Sequence, residues 1–187
     1  MSENHIAYYY ALRTIARAQV AESLNSKIRQ PGVYEAWRGM TLCSIDKAAY
    51  DFARLEWPKH YSSETHNGFV QSWERLFYRF ANRPSFFDLA IWQDIGGEKV
   101  LQALALGKPS HGKTHLVLNW VERSFAPTYL QGGILLPVLA CAEEYAKLIG
   151  ARRVLIKDAV DPAKYGRYGY RPCSLPRRWG NYLEKDV

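Results

Sequence analysis

The feature that most constrains this chain is a long helical repeat standing between two short apolar runs. Leu135, Val138, Leu139, Ala142, Tyr145, Ala146 and Ile149 recur at the i, i+3, i+4, i+7 spacing of one helix face. Pro137 is tolerated only in a first turn, so the helix begins near Gly133 or Ile134, and Gly150 closes it. Thr114 to Val121 (THLVLNWV) on one side and Arg152 to Lys157 (RRVLIK) on the other both read as strands. A strand–helix–strand crossover of this length implies parallel pairing, with the helix packed on one face of the sheet.

Upstream of the crossover the pattern is antiparallel. Ser85 to Trp92 turns through Gly96-Gly97 into Lys99 to Leu106, and Gly107 to Gly112 turns into Thr114. Before this meander, Met40 to Ile45 is a short strand. Asp46 then caps a helix carrying Ala49, Tyr50, Ala53 and Leu55, which Pro58 ends. Lys59 to Gly68 is a polar loop. Phe69, Trp73, Leu76, Phe77 and Phe80 then mark a second helix closed by Asn82-Arg83-Pro84, its aromatic stripe a core feature. After Lys157 a short helix over Pro162 to Tyr168 is expected, then strands Tyr170 to Cys173 and Asn181 to Val187. At the other end, residues 4 to about 29 read as one helix with a stripe of Ile6, Tyr9, Tyr10, Arg13, Ala16, Val20 and Leu24, stopped by Pro31-Gly32. That leading helix has three candidate partners: the rest of the domain, another protein, or a second copy of itself.

The expected fold is therefore α/β (α+β): a mixed, mostly antiparallel twisted sheet flanked by helices, with an extra N-terminal helix. The expected organisation is a helical extension over residues 1–38 and one domain over 39–187. A chain of 187 residues that is 48% apolar and 14% aromatic can bury such a core. No apolar run approaches a membrane span and the N-terminus has no signal-peptide pattern, so a cytoplasmic protein without membrane contact is expected. Cys43, Cys141 and Cys173 are widely spaced and suggest neither a disulfide framework nor a zinc knuckle; Cys141 reads as core. The pairs His60/His66 and His111/His115 lack the carboxylates or thiolates that would complete a metal site. The net charge of +7 is concentrated from residue 150 onward, where nine Lys or Arg face four acids. Such a region attracts a polyanion, either nucleic acid or a phosphate-rich cofactor, unless it is only a solvated basic face.

The order of elements over residues 39–187 resembles the GNAT acyltransferases. The resemblance is carried by Gln131 to Pro172: a glycine turn into the long helix, a strand, then KYGRYGYRP. In that last segment Tyr165 stands four residues before Gly169-Tyr170, as in the family's tail pattern. The resemblance implies acyl transfer from acetyl-CoA, or another acyl-CoA, to an amine. A helix N-terminus offers free backbone N–H groups and partial positive charge to a pyrophosphate, and glycines allow close approach. Gln131, Gly132, Gly133 and Ile134 are the candidates for that role; adjacent glycines stand where the family has spaced ones, and a plain turn is the competing reading. Val121 to Arg123 would line the pantetheine arm by resemblance.

Acyl transfer needs a base for the amine and a proton for the leaving thiolate. Tyr165 is the candidate acid, with Tyr168 as runner-up; an aromatic that merely seals the adjacent helix is the competing reading. Glu122 is the candidate base, or else pairs with Arg123. Asp158 would orient the amine or hold the short helix. The acceptor, a small-molecule or protein amine, is expected near Trp57, His60 and Tyr61. Two further readings are open. The Mom proteins of bacteriophages resemble this fold and modify adenine in DNA, and His60-Tyr61 and the basic C-terminal region are loosely similar to them. A GNAT-shaped binding or assembly module without catalysis, dimerising through its leading helix, is the other.

Overall fold

The computed structural model describes residues 3–28, 37–62, 68–127, 130, 132–173 and 180–187. Helix α1 (Glu3–Ile28) leads to strand β1 (Met40–Cys43), helix α2 (Lys47–Glu56) with a 3-10 turn at Trp57–His60, and helix α3 (Trp73–Ala81). The meander follows as β2 (Phe87–Ile95), β3 (Glu98–Pro109) and β4 (His115–Arg123). Helix α4 (Leu135–Leu148) crosses to β5 (Arg153–Lys157), and the short helix α5 (Ala163–Gly166), β6 (Arg171–Pro172) and β7 (Tyr182–Asp186) complete the chain.

The seven strands form one sheet in the order β1-β2-β3-β4-β5-β7-β6. Only β4 and β5 are parallel, with Leu116 opposite Val154 and Leu118 opposite Ile156, as the crossover requires. Strand β7 runs antiparallel between β5 and the edge strand β6. The architecture is the expected mixed, mostly antiparallel sheet flanked by helices.

Local chemistry fixes the helix ends. Asp46 caps α2, its Oδ1 accepting from the Ala49 amide at 2.8 Å. Ser72 caps α3 through its Oγ at 3.3 Å from the Arg75 amide, so Phe69 lies before the helix, not in it, and packs its ring on Trp73 and Trp120. The two faces of the sheet carry separate cores. Helices α1 and α4 cover one face, burying Leu89, Ile91, Leu116, Leu118, Val154 and Ile156. Helices α2 and α3 cover the other, over Ala90, Leu101, Leu104 and Leu106. Cys141 is wholly buried in α4, and that burial pushes its thiol up to about 12, so it is inert core.

Helix α1 packs on α4 and the sheet, but its inward stripe differs from the expected one. Tyr9, Arg13, Ala16, Arg17, Val20 and Leu24 are buried, whereas Ile6 and Tyr10 are about half exposed. The register is set by an acid in β2. Asp88 is 1% exposed, and Arg13 Nε lies 3.0 Å and Arg17 Nη1 3.7 Å from its Oδ1. Arg13 also donates to the carbonyls of Pro84 (2.8 Å) and Phe86 (2.9 Å), while the other Asp88 oxygen accepts from the Ile45 amide at 2.8 Å. A buried carboxylate needs such partners, and this need turns α1 so that two arginines face inward.

Candidate active site

The site begins with a defect in the sheet. Pairing between β4 and β5 ends at Leu118 opposite Ile156. On the other edge of β4, Leu106 faces Trp120 but Gly107 faces Leu118, so Asn119 is an extra, bulged residue. Gly107 permits this: a Cβ there would sit 2.6 Å from the Val117 carbonyl oxygen. Beyond the bulge, Trp120 to Arg123 pair with β3 alone, and the edge of β4 toward β5 has no ladder partner. The two strands splay, leaving backbone groups free to bond another chain-like group.

The turn into α4 faces that opening. Gly132 has φ +84°, a conformation glycine adopts without strain, and a Cβ there would meet nothing within 4 Å. Gly133 donates its amide to the Leu130 carbonyl at 2.8 Å and accepts the Trp37 indole N–H at 3.2 Å. The turn is thus pinned on its inner side and bare on its outer side.

These elements surround a cleft of about 790 Å³. One wall is built from Asn119, Val121, Arg123, Gly132, Ile134 and Leu135, and continues through the segment 158–161 to Lys164, Tyr165 and Arg167. Phe69, Arg79, Phe80, Lys108 and Trp120 form the other wall, on the α3 side. The volume suits a small ligand or the arm of a larger one. Asn119 Oδ1 is buried and accepts no hydrogen bond among the described residues, leaving an orphaned acceptor at the splay.

Six of the residues singled out from sequence line this one cleft: Val121, Arg123, Gly132, Ile134, Tyr165 and Asp158. Gly133 supports the turn from behind, and Gln131 lies outside the described residues. Tyr165 stacks edge-on against Tyr170 at 6.3 Å between centroids; burial, then the charge of Asp161, push its phenol above the ordinary value. Tyr168 packs on the core, with the Arg167 guanidinium 5.0 Å over its ring. Asp158 adopts φ +49° and fastens the approach to β7, exchanging bonds with Asn181 through its amide (2.8 Å) and its Oδ1 (3.1 Å). Its tether is thus to β7 rather than to the short helix.

Glu122 points to the opposite face of β4 from Val121. It is 4% exposed, and its carboxylate accepts from the Tyr61 hydroxyl at 2.8 Å and from the Trp73 indole. Burial, ahead of the bond to Glu122, raises the Tyr61 phenol. Arg123 instead donates to the Ser124 carbonyl at 2.9 Å and lies 4.1 Å over the Phe125 ring. Trp57 is core, 1% exposed, with its indole N–H donating to the Leu101 carbonyl. The residues that sequence reading missed are Arg79, Lys108, Asn119, Trp120 and Lys164. No local pattern marks them, because the bulge and the docking of α3 on β3 bring them together. Much of the basic C-terminal charge is paired locally: Arg153 with Glu184 at 2.9 Å, Lys164 with Asp161 at 3.2 Å and Lys185 with Glu143 at 2.8 Å. No helix among the described residues is long and apolar enough to cross a membrane.

No family model matches the sequence, and no curated protein matches it. Solved structures do match the fold. The GNAT domain of S. lividans PAT aligns with a TM-score of 0.56 at 17% identity, over 78% of this chain and 89% of that one. The Salmonella typhimurium protein yncA, solved with its cofactor acetyl-CoA, aligns at 0.53 and 14% identity, over 80% and 94%. The ribosomal-protein-S18-alanine N-acetyltransferase of Escherichia coli aligns at 0.53 and 12% identity, over 79% and 94%. The fold of this chain is that of the GNAT acetyltransferases.

Proposed function

We propose that this protein is an N-acyltransferase that moves the acyl group of acetyl-CoA, or a related acyl-CoA, to an amine by direct attack. The observation that carries the reading is the splay of β4 from β5, which opens onto the bare turn at Gly132 and onto Tyr165 within one cleft. The free edge over Val121 to Arg123 suits the amides of a pantetheine arm, and the orphaned Asn119 oxygen adds an acceptor beside it. Gly132, Gly133 and Ile134 lead into the first turn of α4, whose amides and dipole favour a pyrophosphate. Gln131, next to Gly132 in sequence, remains a candidate by resemblance.

The acyl-CoA supplies an activated carbonyl carbon. A neutral amine nitrogen bonds to that carbon, the carbon–sulfur bond breaks, the nitrogen loses one proton, and the departing thiolate gains one. Tyr165 is the donor of that second proton: its raised phenol stays protonated at neutral pH and lies at the α5 end of the cleft. Glu122 accepts the proton from nitrogen through the Tyr61 hydroxyl, which already donates to it. Asp158 shapes the floor of the cleft by holding Asn181.

Calorimetric titration with acetyl-CoA tests the reading. Micromolar binding that is lost in Gly132→Val supports it, because a branched side chain at φ +84° both strains the turn and fills the cradle. Absence of binding at millimolar acetyl-CoA refutes it.

A further inference from the structure

The α3 side of the cleft carries a cluster of cations apart from the α4 turn proposed for the donor. Lys108 lies on β3 just past the bulge, opposite Val117, with its amine 5.9 Å from the centre of the Phe80 ring. Arg79 stands in the last turn of α3, Arg83 follows that helix, and Lys157 ends β5. Burial, then repulsion from Arg83, Arg79 and Lys157, lowers the Lys108 amine below its ordinary value. Among the described residues no carboxylate lies within 4 Å of Arg79, Arg83 or Lys108, and Lys157 has only Asp158, at 3.8 Å. Other surface cations have acids beside them, as in Lys59–Glu56, Lys147–Glu144 and Lys164–Asp161, and what distinguishes Arg79 and Lys108 is that both line one cleft. Cations gathered from three elements, with Asp158 the one carboxylate within 4 Å of any of them among the described residues, repel one another, and a bound anion would relieve that repulsion.

We infer that the acceptor amine carries a phosphate group, held by Arg79 and Lys108 at the α3 wall of the cleft. The inference rests on the acyl-transfer reading above and names its substrate class. On the acyl-transfer reading the donor's pyrophosphate belongs at the α4 turn, on the other wall, and the second cluster is assigned to the second substrate rather than to the donor's remaining phosphate. A dianionic phosphate fits several converging cations better than a single carboxylate does, and the arginine supplies a two-pronged donor. Polycationic amines are repelled from the same wall.

The test uses the intact protein saturated with acetyl-CoA and compares O-phosphoethanolamine with ethanolamine, following binding by calorimetry and transfer by thiol release. The phosphorylated amine is expected to show a KM about tenfold or more below its partner, and Lys108→Met or Arg79→Gln to remove most of that advantage. The acetyl-CoA Kd should stay unchanged in both variants, whose side chains are exposed. Equal behaviour of the matched amines overturns the inference, as does weakened acetyl-CoA binding in the variants, which would assign the cations to the donor. Efficient transfer to a polycationic amine also overturns it, as does oligonucleotide binding with a steep salt dependence and no response to the phosphorylated amine. If the parent protein fails to bind acetyl-CoA, the acyl-transfer reading falls separately. Titration with inorganic phosphate, with Lys108→Met as control, then decides whether the cation cluster binds phosphate.

Discussion

Replacing Arg13 by Met tests whether α1 is part of the cooperative fold. The guanidinium is 6% exposed, donates to two carbonyls, contacts buried Asp88 and lies 4.3 Å over the Phe86 ring. Methionine fills much of the volume but leaves both carbonyls short of a donor, and leaves Asp88 with Arg17, at 3.7 Å, the Ile45 amide and the Ser44 side chain. Breaking a buried pair on one side costs about 3–5 kcal/mol, and the surviving Arg17 places this case near ~3 kcal/mol. That is a large share of the ~5–15 kcal/mol that holds a typical domain together. Urea unfolding followed by circular dichroism should then show a midpoint lowered by about 1.5 M, for an m-value of ~2 kcal/mol/M, in a single transition. Adding Asp88→Asn removes the stranded charge while keeping an acceptor for Ile45. The double variant should lose about 1–2 kcal/mol less than the two singles together. A midpoint within ~0.3 M of the parent, or a separate early transition for α1, refutes the reasoning and makes residues 1–38 an independent appendage.

Three further outcomes are expected. Gly107→Ala forces a Cβ against the Val117 carbonyl at 2.6 Å, so thermal unfolding should report a loss of about 1–3 kcal/mol, with weaker acetyl-CoA binding as the bulge shifts. Tyr165→Phe should lower kcat by about 10²–10⁴-fold with the acetyl-CoA Kd unchanged; an unchanged kcat would leave Tyr165 as packing alone. Glu184 is held below the usual carboxylate range by the Cys173 thiol, then by Arg153 and Arg171, against the opposing effect of burial. A depressed acid contributes stability that is present above its unfolded value of ~4.3 and is lost as pH falls through the folded one. Glu184→Gln should therefore flatten the loss of stability below about pH 4.5, and an unaltered acid limb would contradict the assignment.

The residues that dictate local structure were readable in order along the chain. The period of Leu135 to Ile149 specified α4, Asp46 specified the start of α2, and the crossover specified the single parallel pair. A local signal survives folding because backbone hydrogen bonding and one buried face decide it. The cleft-lining group Val121, Arg123, Gly132, Ile134, Tyr165 and Asp158 was reachable by resemblance, since it sits at the ends of those elements. Other features belong to contacts between distant segments. The inward turn of Arg17 depends on Asp88, 71 residues away. The bulge at Asn119 depends on Gly107 meeting Val117 across the ladder, and the cluster of Arg79, Lys108 and Lys157 depends on α3 docking over β3 while β5 splays from β4. Sequence alone thus determined the elements and their order. Tertiary structure alone decided which polar groups are buried together and which cations stand unpaired, because desolvation and charge repulsion act through space and leave no period along the chain.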